Sequence, residues 1–388
     1  MRALSKPERV GSEGMSPCLI DIRQLEGMEI WETEVDSTCS GGTHPPPRDE
    51  SMKDTKEARD SSLNKIAGNP NAPERKPRKH PRQFTLVEKR SLEASVAIAT
   101  ETLEQIAFQH TVLCQTCMPY RNPGDEVRVW ERKQGSILLH IEAGYAIDPS
   151  TERYTKIGLP FGPKARLILA HLNAEALKTG SPEIEVERSL TAFVRRLQDQ
   201  TKRGKSGPNG REIHVFKDQL GRLSSALIRV ATVRNDRAVQ IDGKVVSGLD
   251  IWFPKDEQQR VLWPSTIQLS LDYFVSLQKH AVPLNERALA ALAHSAMALD
   301  IYAWLAQRLH RIPHGNPQLV SWAAVKGQFG IEFGRMNKFK QKFRIALSQV
   351  LLCYPKAKIE VDDKGLTLRH SPPPISARVI LVEKPGDQ

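Results

Sequence analysis

The sequence predicts an α+β protein of tandem winged helix-turn-helix domains, mostly helical, behind a disordered N-terminal tail. Three observations carry that prediction. Between Leu299 and Arg369, three helical patterns are followed by a hairpin pattern. Residues 164–253 repeat the order of helix, helix, helix and strands. Residues 1–82 are poor in aromatics and dense in Pro, Ser, Glu, Lys and Arg, and such a segment buries too little apolar area to offset its ordering entropy. The domains so defined span 83–265 and 266–375, joined near Ser265 to Leu284, with a C-terminal tail at 376–388.

In the second domain, Leu299, Tyr302, Leu305 and Leu309 recur at helical spacing, and Pro313 and Gly315 stop that helix. Ser321 suits the N-cap of a short second helix, Trp322 to Phe329, which Gly330 closes. The third helix runs from Arg335 to Cys353. Met336, Phe339, Phe343, Leu347 and Val350 line one side, and Asn337, Lys338, Lys340, Gln341, Arg344 and Ser348 line the other. No acid lies between Arg335 and Gln349. Alternating runs around Gly365 then read as a hairpin. In a winged helix of this kind the third helix enters the major groove and the hairpin lies against the backbone.

In the first domain, apolar residues from Phe84 to about His110 predict a helix, through Leu86, Leu92, Val96, Ile98, Leu103 and Phe108. Asn122-Pro-Gly marks a turn. Val127, Val129, Ile137, Leu139 and Ile141 alternate on either side of Gln134-Gly135 and predict a strand pair. Pro160-Phe-Gly-Pro163 opens a helix from Lys164 to Lys178, with Gly180 at its far end. Ser189 caps a helix from Leu190 to Gln200, and a Gly-rich loop containing Lys202, Arg203 and Lys205 leads to the next. That third helix turns Phe216, Leu220, Leu223 and Leu227 inward and Lys217 and Arg222 outward. Strands follow at Ile228–Val233, Ala238–Ile241 and Leu249–Phe253.

Composition narrows the partner. Among 388 residues the formal net charge is +11, which favours a polyanion, most simply nucleic acid. No apolar run is long enough to span a bilayer, no basic amphipathic anchor stands out, and the N-terminus lacks the apolar core of an export signal. Five cysteines make no disulfide scaffold, so a reducing cytoplasm is the expected compartment.

The third-helix face of the second domain is the strongest candidate site. Asn337, Gln341 and Arg344 carry the donors and acceptors that read base edges. Arg335, Lys338, Lys340 and Lys342 stand beside them, where phosphates would lie. The bland alternative is a helix made basic for solubility. Lys358, Lys364 and Arg369 on the hairpin have the same two readings. In the first domain Arg211, Lys217 and Arg222 form a thinner basic face, for DNA contact or for dimerisation. The 202–211 loop and the run Arg75-Lys-Pro-Arg-Lys-His-Pro-Arg82 suit either phosphate contact or plain solvation.

Other chemistry has thin support. Cys114 and Cys117, with His110 before them, lack a fourth ligand, and are expected as incidental cysteines at a helix end with no metal bound. There is no phosphate-binding loop, and Gly204-Lys-Ser-Gly lacks the preceding glycine and strand. No His-apolar-His pair stands near a tyrosine. Tyr145 and Tyr154 are expected as packing residues, and no nucleophile elbow occurs. No enzyme, catalytic residue or cofactor is therefore expected.

Met118–Trp130, Gly158–Arg166, Ser189–Leu197, Val215–Leu220 and Leu299–Leu309 together resemble the plasmid-encoded RepA replication initiator family, over about Phe84 to Ser371. The tail before residue 80 and the Cys114 and Cys117 pair fall outside the resemblance. It implies a bacterial protein that binds repeated sites in double-stranded origin DNA and starts theta-type replication. It further implies recruitment of the host replicative helicase and the host initiator protein, and, for many relatives, promoter repression as a homodimer. The runner-up is a winged-helix transcriptional repressor with no replication role, and a DNA-nicking enzyme ranks third.

Overall fold

Helices and strands alternate through a computed structural model that describes residues 85–100, 106–148, 151–186, 192, 194–195, 210–234, 237–243, 245–252 and 263–375. The expected tail at 1–82, the 202–205 loop and the C-terminal tail lie outside the described residues. All described residues belong to one compact unit.

In chain order the elements begin with α1 (Leu86–Thr100), β1 (Ile106–His110), α2 (Thr111–Gln115), β2 (Val129–Gln134), β3 (Ile137–Glu142), β4 (Tyr145–Asp148) and β5 (Arg153–Lys156). Then come α3 (Gly162–Thr179), β6 (Glu183–Glu185), helical positions at Ala192, Val194 and Arg195, α4 (Gly210–Ser225), β7 (Leu227–Arg234), β8 (Arg237–Gly243), β9 (Val246–Trp252) and β10 (Trp263–Leu269). The second half holds α5 (Leu271–His280), β11 (Ala281–Asn285), α6 (Glu286–Leu292), α7 (Ala296–Arg308), β12 (Gln318–Ser321), α8 (Trp322–Phe329), α9 (Met336–Cys353), β13 (Ile359–Val361) and β14 (Gly365–Leu368).

Local chemistry explains where many elements start and stop. Thr85 and Glu88 exchange bonds in a capping box at the head of α1. Gly162 enters α3 at φ +73°, Pro163 sits in its first turn, and Gly180 leaves it in the left-handed region at φ +67°. Asn122 Oδ1 accepts from the Gly124 amide in the expected turn. Ser321 accepts from the Ala324 amide, so α8 begins where the sequence places it.

Three expectations change, one of them at a single residue: Leu227, read as an inward position of the first domain's third helix, opens β7 after α4 ends at Ser225. The helix read from Phe84 to His110 stops at Thr100, and Ile106–His110 is instead a strand paired antiparallel with β11. Its form is set by a partner far along the chain, which helical periodicity cannot register. Tyr145 and Tyr154 are not packing residues, because both lie on the two-stranded ribbon β4–β5 and are 58% and 74% exposed.

The sheets divide into small sets. β2, β3, β7 and β8 form an antiparallel sheet in that order. β6 and the long hairpin β9–β10 form another, ordered β6-β10-β9. In the second half the order is β12-β14-β13. In each three-stranded sheet the strand before the helices lies beside the last strand of a later antiparallel pair, but in the first half β7 and β8 of the four-stranded sheet stand between those helices and that pair.

A single buried cluster runs from Ala107 to Leu368. Its polar centre is Arg166 of α3, whose Nε and Nη2 meet Asp300 of α7 at 2.6 and 2.8 Å. The same guanidinium donates to the carbonyls of Met118, Pro119 and Gly162. Elsewhere Arg132 of β2 donates to the Gly327 and Gln328 carbonyls at the end of α8. Gln328 donates to the Gln115 carbonyl, and Glu332 accepts from the Tyr120 amide. These bonds attach α8 and the turn before α9 to the N-terminal half.

Candidate nucleic-acid interface

An aromatic stack fixes α9. Phe339, Phe343, Leu347 and Val350 are buried, and Phe339 and Phe343 meet edge-on the ring of Trp322, the first residue of α8. Phe329 stands 5.6 Å from Phe343 and 5.3 Å from Trp304 of α7. With that side sealed, the opposite side of α9 faces outward. Arg335, Asn337, Lys338, Gln341, Lys342, Arg344 and Ser348 are exposed, and Lys340 is half-buried. The face expected from periodicity is therefore assembled on one helix, with no acid among its members.

Arg344 and Lys340 differ from their neighbours. Lys340 Nζ lies 5.1 Å and Arg344 Cζ 5.3 Å from the centroid of the Trp322 ring, within cation–π range. Both lean toward the hairpin turn, with Lys340 Nζ 3.4 Å from the Asp363 carbonyl and Arg344 Nη2 3.5 Å from the Asp362 carbonyl. Trp322 Nε1 donates to that same Asp362 carbonyl at 2.9 Å. The turn is closed by Asp362 Oδ1, which accepts from the Lys364 and Gly365 amides. Those two donors hold the Asp362 carboxyl below its ordinary range.

On the hairpin, Lys358 and Lys364 are exposed, while Arg369 pairs across the strands with Glu360. In the first half the basic face is thinner than expected. Arg211 falls in the first turn of α4, and its side chain lies outside the described residues. Lys217 is half-buried. Arg222 points back into the fold: it pairs with Asp218, donates to the Leu159 carbonyl and lies 5.2 Å from the Phe161 ring centroid. Helical spacing put Arg222 outward because the loop that folds over it cannot be read from periodicity.

His110 Nδ1 accepts from the Val112 amide as the N-cap of α2, and its Nε2 meets Ser276 Oγ at 3.0 Å. Cys114 and Cys117 are buried beyond it, and burial pushes both thiols up. Among the described residues no group of three or more His, Cys, Asp or Glu side chains is placed to hold a metal ion.

The residue that sequence reasoning missed is Trp322. It reads as the opening of a helix, and its contact with two cations depends on how α9 lies against α8. The available signal was an aromatic at the head of the second helix with Lys340 and Arg344 one turn apart on the third.

Residues 159–324 match the family model RepA_C, described as plasmid encoded RepA protein. The span takes in the Ser189–Leu197, Val215–Leu220 and Leu299–Leu309 stretches and all but the first residue of Gly158–Arg166, and leaves out Met118–Trp130. No curated protein matches the chain. Among solved structures, a selenomethionine crystal structure of domains 2 and 3 of RctB is 8% identical, with 62% of this chain and 83% of that chain covered and a TM-score of 0.40. A second RctB structure, of residues 155–483, is 9% identical, covers 67% and 96%, and has a TM-score of 0.38. Likenesses that distant carry no argument about function. Among the described residues no helix is long and apolar enough to cross a membrane.

Proposed function

Taking residues 159–324 as those of a plasmid encoded RepA protein, we propose that this chain is a plasmid replication initiator that binds repeated double-stranded sites at an origin and recruits the host replicative helicase and initiator. In this reading each half is a winged helix. The repeated sheet orders β6-β10-β9 and β12-β14-β13, each flanking a pair of helical segments, support it. The observation that carries DNA binding is the acid-free outer face of α9, held outward by its buried aromatic side. Asn337 and Gln341 then read base edges, with Arg335, Lys338, Lys342 and the hairpin cations Lys358 and Lys364 near the backbone. The first half sets orientation or dimerisation. The protein works by binding, and a supercoiled origin incubated with it and divalent metal stays supercoiled.

Footprinting on DNA flanking the gene tests the proposal. Evenly spaced protection is expected, and a featureless pattern overturns it. Gln341→Ala should cost about 1–3 kcal/mol at the cognate repeat and relax base preference, whereas Lys338→Ala should weaken all duplexes alike. A plasmid carrying only this gene and its flanking repeats should replicate in a permissive host. Intact DNA binding without replication would assign the protein to transcriptional repression.

A further inference from the structure

We infer that Trp322 is a positioning residue that sets Lys340 and Arg344 as a clamp for the sugar–phosphate backbone, so that Arg344 reads no base; this rests on the proposed DNA interface. Trp322 is buried, and its ring is held on edge by Phe339 and Phe343. Its indole N–H is spent on the Asp362 carbonyl and its backbone N–H on the Lys364 carbonyl, so the ring is tied to the hairpin turn at two points. One ring thus fixes the turn and also lies within about 6 Å of two cations. Lys340 and Arg344 are one turn apart on α9, and both lean from the helix toward the turn. Among the described residues nothing tethers Asn337, Lys338 or Gln341 in this way. A long cation left in solvent must be ordered when it meets a phosphate, and ordering side chains weakens binding. Two cations already laid on a rigid ring avoid that loss.

The direction of the tether separates roles on the helix. Helix and hairpin meet at this notch, and in a helix-in-groove arrangement the hairpin is the part that follows the backbone. Cations leaning toward it meet phosphate oxygens, for which a planar guanidinium is suited. Asn337 and Gln341 keep the outward direction that base edges need. The cations themselves touch a pair of carbonyls, those of Asp362 and Asp363.

The test measures affinity of the full chain for a cognate duplex and for a scrambled duplex over a range of salt. Arg344→Ala and Lys340→Ala should each lower the salt slope by about one unit, and affinity by about three- to tenfold, equally on both duplexes. Trp322→Phe keeps a ring in the core but removes the indole donor and much of the π surface. It should reduce the slope and the affinity for both duplexes while leaving their ratio unchanged. A Trp322 whose role is merely structural would lower thermal stability without moving the slope, so melting is recorded for every variant. Arg344→Lys should restore the slope in part. A wild-type slope in Trp322→Phe, or a loss of base preference in Arg344→Ala, overturns the inference while Gln341→Ala still reports on the interface itself. Wild-type protein that fails to distinguish the two duplexes overturns the proposed function, and this inference with it.

Discussion

His110 shows how one buried side chain makes the fold sensitive to acid. Its Nδ1 accepts from Val112, so the proton sits on Nε2 and is donated to Ser276 Oγ. Burial, with His280 nearby, lowers its pKa from 6.5 to about 3. Above pH 6.5 the ring is neutral in folded and unfolded chains alike, and stability is undiminished. As pH falls below 6.5 the unfolded chain takes up a proton that the folded chain refuses, until about pH 3. Over that window this residue should cost about 1.4 kcal/mol per pH unit. His110→Asn keeps an N-cap acceptor and cannot titrate. Its unfolding free energy should therefore depend on pH less steeply, by one proton, between pH 6 and about 4. An unchanged slope in denaturant titrations would show that the ring is protonated in the folded protein. The sequence marked His110 only as a neighbour of Cys114 and Cys117. Its actual partners are the Val112 amide, two residues on in α2, and Ser276 of the distant α5, and the second is not visible in local spacing.

The helices from α7 to α9 and the hairpin after them were legible because their signals are local. Ser321, Gly330 and Gly365 act within a few residues, and Met336, Phe339, Phe343, Leu347 and Val350 follow a period that one helix can satisfy alone. Phe343 is fully buried between Trp322, Phe329 and Phe339, so Phe343→Ala should cost about 3–5 kcal/mol and release the outer face of α9 with it. Gly365 makes a sharper test of the hairpin. A Cβ there would run into the Val320 carbonyl of the facing strand, which is backbone and cannot swing away. Gly365→Ala should therefore splay β12 from β14, and lower duplex affinity by more than the loss of Lys364 does. Calorimetry and binding on the same protein check both statements. What stayed hidden were the strands β1, β4, β5, β6, β10, β11 and β12 and the helices α5 and α6. Each of these strands is short or borrows its partner from elsewhere in the chain, so β1 was absorbed into the preceding helix and β11, its partner, was read as part of a junction; Pro283 is tolerated there because the pair has only two strands. The candidate site was legible where one helix carries it. It failed at Arg222, whose surroundings are built by the loop at Leu159–Phe161.

At the scale of the whole molecule, the Arg166–Asp300 pair ties α3, from the first half, to α7, from the second. Arg166 uses all five of its N–H donors: two on the carboxylate and the rest on the Met118, Pro119 and Gly162 carbonyls. With both groups buried, removal of either leaves a charge without its counterion. Asp300→Asn and Arg166→Met should each cost about 3–5 kcal/mol. Arg166→Lys should rescue little, because an ammonium has three donors and no fork to match the carboxylate. The double variant Arg166→Met with Asp300→Leu removes both charges, so it should lose less than the two singles summed, the remainder being the three carbonyls left unsatisfied. If instead the losses add, the pair is screened by water and does not couple the halves. The same coupling reaches the outer face of α9 by a second route, since Arg132 and Gln328 attach α8 to β2 and α2, and α8 carries Trp322. Arg132→Met should then loosen α8 against the N-terminal half, raising amide exchange in Trp322–Phe329 while α9 keeps its protection. Exchange rising equally throughout α7, α8 and α9 would mean that the second half leans on Arg132 for its folding and not only for its orientation.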